Sequence, residues 1–317
     1  MNGPLAYANS VAVSSQAEVA VELAAPPGRW RGEAYAAFAA VTWSSAGILQ
    51  RQLSVSVPTQ VGTRALFAFL ALGCFVVVSE RGPGQLLLRL RTSMVPTVAV
   101  AICVAAASAT FVVALSRTTV AHVLLFQALA PLIAAGVGVR FLNEPVSRSF
   151  WLAMALSIVG VVVMVGGPGG GSVTGDGLAL LSTCAFAAVV LLARRHQTVS
   201  MAPAACLAQL LLVLVMAPFA NPSTIPASNF VWLFLLGAGQ LGLGLAAFTA
   251  AAELVPAARL TIIVLLEIVL GPLWVWIGVG ERPSSATLLG GALVLTGVVV
   301  QVMVGRDRPN TPTCDPG

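Results

Sequence analysis

Long apolar stretches broken by short polar ones run along most of the chain, and their spacing predicts ten membrane-crossing helices. The apolar segments fall at 33–49, 59–79, 94–115, 120–142, 150–166, 177–193, 201–220, 230–252, 257–278 and 286–304. Each spans close to the ~20 residues that roughly 30 Å of hydrocarbon requires at a helical rise of about 1.5 Å per residue. Helices satisfy every backbone group within the segment, so they fit this pattern better than barrel strands.

The pattern also repeats. Sliding the sequence by 137 positions places Leu129 on Leu266, Glu144 on Glu281, Ser147 on Ser284, Leu152 on Leu289, Ala155 on Ala292, and Gly160-Val161-Val162-Val163 on Gly297-Val298-Val299-Val300. In both copies an apolar helix ends in a short polar stretch carrying a glutamate, and another apolar helix follows at once. Five segments per half is an odd number, so the second half enters the membrane upside down relative to the first. The expected fold is an all-α integral membrane protein of ten transmembrane helices in two inverted five-helix repeats, 33–166 and 177–304. Internally repeated membrane helices are a mark of solute transporters.

Composition agrees with a bilayer. Hydrophobic residues make up 58% of the chain and charged residues 9%, too little polar surface to clothe a soluble globule. The 16 basic residues are all arginine, which excludes a P-loop lysine and a Schiff-base lysine. With the amino terminus in the cytoplasm, Arg29, Arg31, Arg81, Arg89, Arg91, Arg140, Arg148, Arg194, Arg195, Arg259, Arg306 and Arg308 lie inside, and only Arg51, Arg64, Arg117 and Arg282 outside. That bias predicts both termini cytoplasmic, in the plasma or inner membrane.

Residues 1–32 have no basic stretch followed by an apolar core, so they read as a mobile cytoplasmic tail and not as a signal peptide; residues 305–317 read as a second tail. The glycine-rich stretch 167–176 reads as a linker between the halves. The arginines form no patch for nucleic acid. The scattered cysteines Cys74, Cys103, Cys184, Cys206 and Cys314 have no CxxC spacing, and His122 and His196 are the only histidines. No metal site and no cofactor is expected.

Several residues together resemble a known family. Trp43-Ser44-Ser45, Pro58, Arg64, the segment through Pro131 ending in Leu142-Asn143-Glu144, and Leu266-Glu267 followed by Gly280-Glu281 are similar to the EamA-type transporters of the drug/metabolite transporter superfamily. The resemblance covers roughly 33–304 and implies a transporter for amino acids and small metabolites, not an enzyme. Two departures stand out: Ile268 follows the glutamate where the family often has proline, and Ala130 occupies the place in the first half that Glu267 has in the second.

Glu267 lies near the middle of the ninth segment, where an ionised acid costs a few kcal/mol. It is the foremost candidate for a substrate contact and for a proton carrier; the competing reading is a neutral acid that joins two helices. Val264, Glu267, Gly271, Trp274 and Gly278 share one helical face, which would either line a cavity or pack closely. In the fourth segment Gln127 lies near the midplane, and Pro131 frees its carbonyl as Pro272 frees that of Ile268. Pro131, Pro272 and Gly271 are therefore candidate hinges. Gln240, Trp43 and Arg64 complete the candidate cavity, with Arg64 placed to snorkel or to meet an acidic group. Glu144 and Glu281 read as structural or gating residues at helix ends, near Arg148 and Arg282.

The function expected from these features is secondary transport of amino-acid-like solutes by alternating access, as efflux and with proton coupling through Glu267. The partners are a small solute and the lipid bilayer, with no nucleic acid. An exporter of hydrophobic drugs or nucleotide-sugar-type solutes is the nearest alternative, and a membrane scaffold or lipid-modifying protein the alternative of another class.

Overall fold

The computed structural model describes residues 29–79, 93–142, 148–167, 171–196, 201–255, 260 and 263–304, and all their regular structure is helical. The first half contributes α1 (Arg29–Ser44), α2 (Ala46–Arg51), α3 (Val57–Ser79), α4 (Met94–Leu115), α5 (Val120–Gln127), α6 (Ala130–Leu142) and α7 (Arg148–Gly166). The second contributes α8 (Val173–Arg195), α9 (Met201–Met216), α10 (Ala227–Phe234), a π-helix (Leu235–Leu243), α11 (Gly244–Leu254), α12 (Leu266–Val279) and α13 (Ser285–Val304). Residues 1–28, 305–317 and Glu144 lie outside the described residues, while 29–32, expected as the end of the first tail, are helical and open α1.

Helix ends follow local chemistry. The Thr119 hydroxyl accepts the His122 N–H at the start of α5, and the Ser172 hydroxyl accepts the Gly175 N–H at the start of α8. That cap begins α8 at Val173, inside the stretch expected as linker. At the other end of α12, Gly280 takes a left-handed φ of 76°, which stops the helix at little steric cost.

Val57–Val78, Met94–Leu115, Val173–Ala193 and Ala227–Ala252 are each long and apolar enough to cross a membrane, and shorter apolar helices accompany them. Large apolar side chains point outward: Val95 is 80% exposed and Ile277 71%. Arg64, Gln209, Gln240, His122 and Asp176 are buried instead. A chain with apolar groups outside and polar groups within is a multi-pass membrane protein.

The two halves interlock, because helices pack mainly on partners from the other half. Going round, α5 and α6 pack on α8, α8 on α4, α4 on α9, α9 on α3, and α3 on the π-helix. The π-helix and α11 pack on α1, α1 and α2 pack on α12, and α12 returns to α5. This closes a ring of eight segments. Outside it α7 pairs with α13, which also touches α5 and α6. Exchanging each segment with the one five places later turns the ring and the α7–α13 pair into themselves, so the repeat is present in the packing as well as in the sequence.

The α7–α13 crossing is close. A Cβ on Gly160 would lie 2.6 Å from the Gly290 carbonyl oxygen, and one on Gly290 would strike the Gly160 carbonyl. Only glycine lets the two backbones approach this far, the usual means of packing helices where lipid supplies no hydrophobic drive.

Candidate functional site

Four segments of the ring, the first, fourth, eighth and ninth, are interrupted near candidate residues, whereas α3, which carries Arg64, is continuous. The fourth segment breaks at Ala128–Leu129, between α5 and α6, and the ninth has a turn at Leu265, just before α12. The 137-residue shift carries Ala128 onto Leu265, so the two breaks are equivalent. Pro131 follows the first break directly, whereas Pro272 lies inside the continuous helix α12. The first segment turns at Ser45, and the eighth winds into a π-helix over the glycine-rich stretch that carries Gln240. Breaks and π-turns loosen the backbone and recur at functional sites.

Gln127 and Glu267 are brought to one level. The Val120 N–H at the start of α5 donates to Glu281 just beyond the end of α12, at 3.0 Å. Further along, Gly271 lies against the Leu124 side chain, so the two helices run antiparallel. Gln127 follows Leu124 by about one turn, and Glu267 precedes Gly271 by about one turn. Both end on buried oxygens without a hydrogen-bond partner, Gln127 Oε1 and Glu267 Oε2. Gly271 itself fits beneath Leu124 and near the Ser44 carbonyl, and Gly278 against Ile48. Trp274 donates from Nε1 to the Ser44 hydroxyl at 3.0 Å.

Arg64 and Gln240 also meet. Arg64 is 5% exposed; its Nη2 donates to Gln240 Oε1 at 3.1 Å, and its Nε has no partner. Trp43 rests against Gly244, one turn along from Gln240, with its ring centroid 5.2 Å from that of Phe248 and a buried Nε1 that bonds nothing. Among the described residues six buried side-chain polar atoms lack partners, and four belong to Trp43, Arg64, Gln127 and Glu267. Buried polar atoms are nearly always bonded, so these four are exceptions to the rule.

One end of the bundle carries interactions that sequence reasoning missed. Arg51 Nε donates to Glu281 Oε2 at 2.9 Å, while Nη1 reaches the Leu115 carbonyl at 2.6 Å and Nη2 that of Thr118 at 3.0 Å. Glu281 thus pairs with Arg51 from the other half and not with its neighbour Arg282, because its carboxylate faces the start of α5. Beside this pair His122 is fully buried, with Nδ1 3.0 Å from Asp176 Oδ1. Both residues stand in the first turn of a helix that opens at this end, which is the signal in the sequence that could have joined them.

The model of the EamA-like transporter family matches residues 30–166 and again 173–303. The chain belongs to this family. An EamA-like transporter moves small solutes across membranes, so membership gives this protein its broad activity. No curated protein matches the sequence significantly. One solved structure, described as "Crystal structure of protein", is 20% identical, covers 87% of this EamA-like transporter and 98% of its own chain, and has a TM-score of 0.63. That likeness is one of fold.

Proposed function

We propose that this EamA-like protein is a secondary transporter of amino-acid-like solutes, working by alternating access and in the direction of export. Ten crossings in two inverted halves surround a central site, both termini are cytoplasmic, and the end carrying Arg51 and Glu281 faces outward. One observation carries the site assignment: the partnerless polar atoms of Trp43, Gln127 and Glu267 next to breaks in their helices, and that of Arg64, which reaches Gln240 of the π-helix from the unbroken α3. Gln127 and Glu267 offer acceptors for an ammonium or amide donor. Arg64 and Trp43 offer donors to a carboxylate. A phosphorylated cargo is disfavoured, since of the arginines with described side chains Arg64 alone is buried.

An unpaired carboxylate in an apolar interior is costly, so Glu267 calls for a proton or a cationic group as company. This is the basis for proton coupling through Glu267. Alternating access follows from bending at the breaks near Pro131 and at the ninth segment, with Pro272 and Gly271 on the moving face.

The test is untargeted metabolite profiling of medium and cytosol from cells expressing the protein or an empty vector. An amino-acid-like class enriched in the medium is expected with the protein. Enrichment in the cytosol would reverse the direction, and identical profiles would sink the reading.

A further inference from the structure

We propose that His122 and Asp176 form a second, separate proton-binding site, loaded from the Arg51–Glu281 end of the bundle through the hydroxyls of Ser284 and Thr287. The imidazole is held at both nitrogens. Nδ1 lies 3.0 and 3.2 Å from the two carboxylate oxygens of Asp176, and Nε2 lies 3.3 Å from Thr287 Oγ1. Asp176 Oδ1 also accepts the Thr118 hydroxyl at 2.7 Å. Thr287 Oγ1 is 2.9 Å from Ser284 Oγ, and either hydroxyl can be the donor.

That freedom lets the network hold the ring in two charge states with every hydrogen bond kept. In the neutral state Nδ1–H donates to the Asp176 carboxylate, Thr287 donates to Nε2, and Ser284 donates to Thr287. In the cationic state Nε2–H donates to Thr287, Thr287 donates to Ser284, and Asp176 balances the new charge. One proton enters from hydronium at Ser284: each hydroxyl gives up one proton and regains another, the bond formed is Nε2–H, and water is left behind. Ser284 and Thr287 line a small cavity at this end, together with Glu281, Arg282 and Pro272, with room for about one water. A buried histidine without such a relay would be a packing residue. This one has a counter-ion on one side and a path on the other.

The charges around the ring are few. Asp176 comes from α8 and touches it; from α12 and the connection to α13 come Glu281 and Arg282, and from α2 Arg51, which is bound to Glu281. Arg117, before α5, is exposed. His122 lies in the first family match and Asp176 and Thr287 in the second, so the proton binds at the seam between the halves. Its part in a transport cycle rests on the reading proposed above; the binding itself does not.

The chain's two histidines make the experiment simple, since His196→Gln leaves one. Full-length protein with 15N-labelled histidine in nanodiscs is followed by NMR from about pH 8 to about pH 5, where histidine normally changes charge. The expected result is the Nδ1–H neutral tautomer at the alkaline end and imidazolium at the acid end. In Asp176→Asn the ratio of cation to neutral ring at matched pH falls by at least about tenfold, as loss of an adjacent counter-charge requires. Should that variant not fold, the nearly isosteric Thr287→Val, which removes both the donor to the neutral ring and the acceptor for the cation, is expected to lower the ratio to a smaller extent, because the bond from the charged ring is the stronger of the two. A ring that stays neutral throughout, or a ratio unchanged in the variant, overturns the proposal. Neither result depends on any solute being transported, so a failure here is distinct from a failure of the transporter reading.

Discussion

Glu267→Gln is expected to lower solute flux by about tenfold or more, a loss of about 1.4 kcal/mol or more in the coupling step, and to leave the residual flux indifferent to a pH gradient. The substitution keeps size and hydrogen-bonding reach but removes the charge and the proton. In the protein Glu267 Oε2 is buried and partnerless, close to the turn at Leu265 and level with the equally partnerless Gln127 Oε1. If Glu267 only fastened two helices, glutamine would serve as well, because an amide donates and accepts at the same place. Flux measured in cells with and without an imposed pH gradient, at matched membrane levels of protein, separates the two. Full flux with full pH dependence in the variant would remove Glu267 from the coupling step.

Gly290→Leu is expected to cost about 3 kcal/mol of stability, at the upper end of ordinary overpacking. The new side chain has nowhere to go. Its Cβ would strike the Gly160 carbonyl and lie 2.9 Å from both the Met164 nitrogen and its Cβ, so helix backbone and not a flexible side-chain tip would have to move. α7 and α13 would be forced apart along their whole crossing. Gly177→Leu is the control, because nothing lies within 4 Å of a Cβ there. Thermal unfolding in detergent should show a large drop for the first and little change for the second. Equal behaviour of the two would contradict the close crossing.

Much of the fold was legible because membrane helices announce themselves by apolar length, and the repeat because Leu-Glu-Ser spacings return at one constant shift. Glu267 was legible for the same reason: a lone acid in an apolar run has no cheap explanation. Arg64 with Gln240 was visible only as two separate polar residues, since 176 positions separate them and no local pattern carries that distance. The Arg51–Glu281 pair spans 230 positions, and sequence neighbourhood pointed to Arg282 instead. His122 and Asp176 were hidden by their rarity. Two isolated histidines without ligand spacing give no metal-site signal, and no local pattern points from His122 to a carboxylate 54 positions away. The π-helix left a trace in Gly237, Gly239 and Gly242, yet glycines that loosen a helix and glycines that pack one look alike in sequence.

The most direct test of the central claim is counterflow of a labelled amino-acid mixture into liposomes that contain the purified protein and an unlabelled excess of the same mixture. Saturable entry of label, well above that of protein-free liposomes, is the predicted result. Entry no faster than in protein-free liposomes for every amino acid would contradict transport of this class of solute.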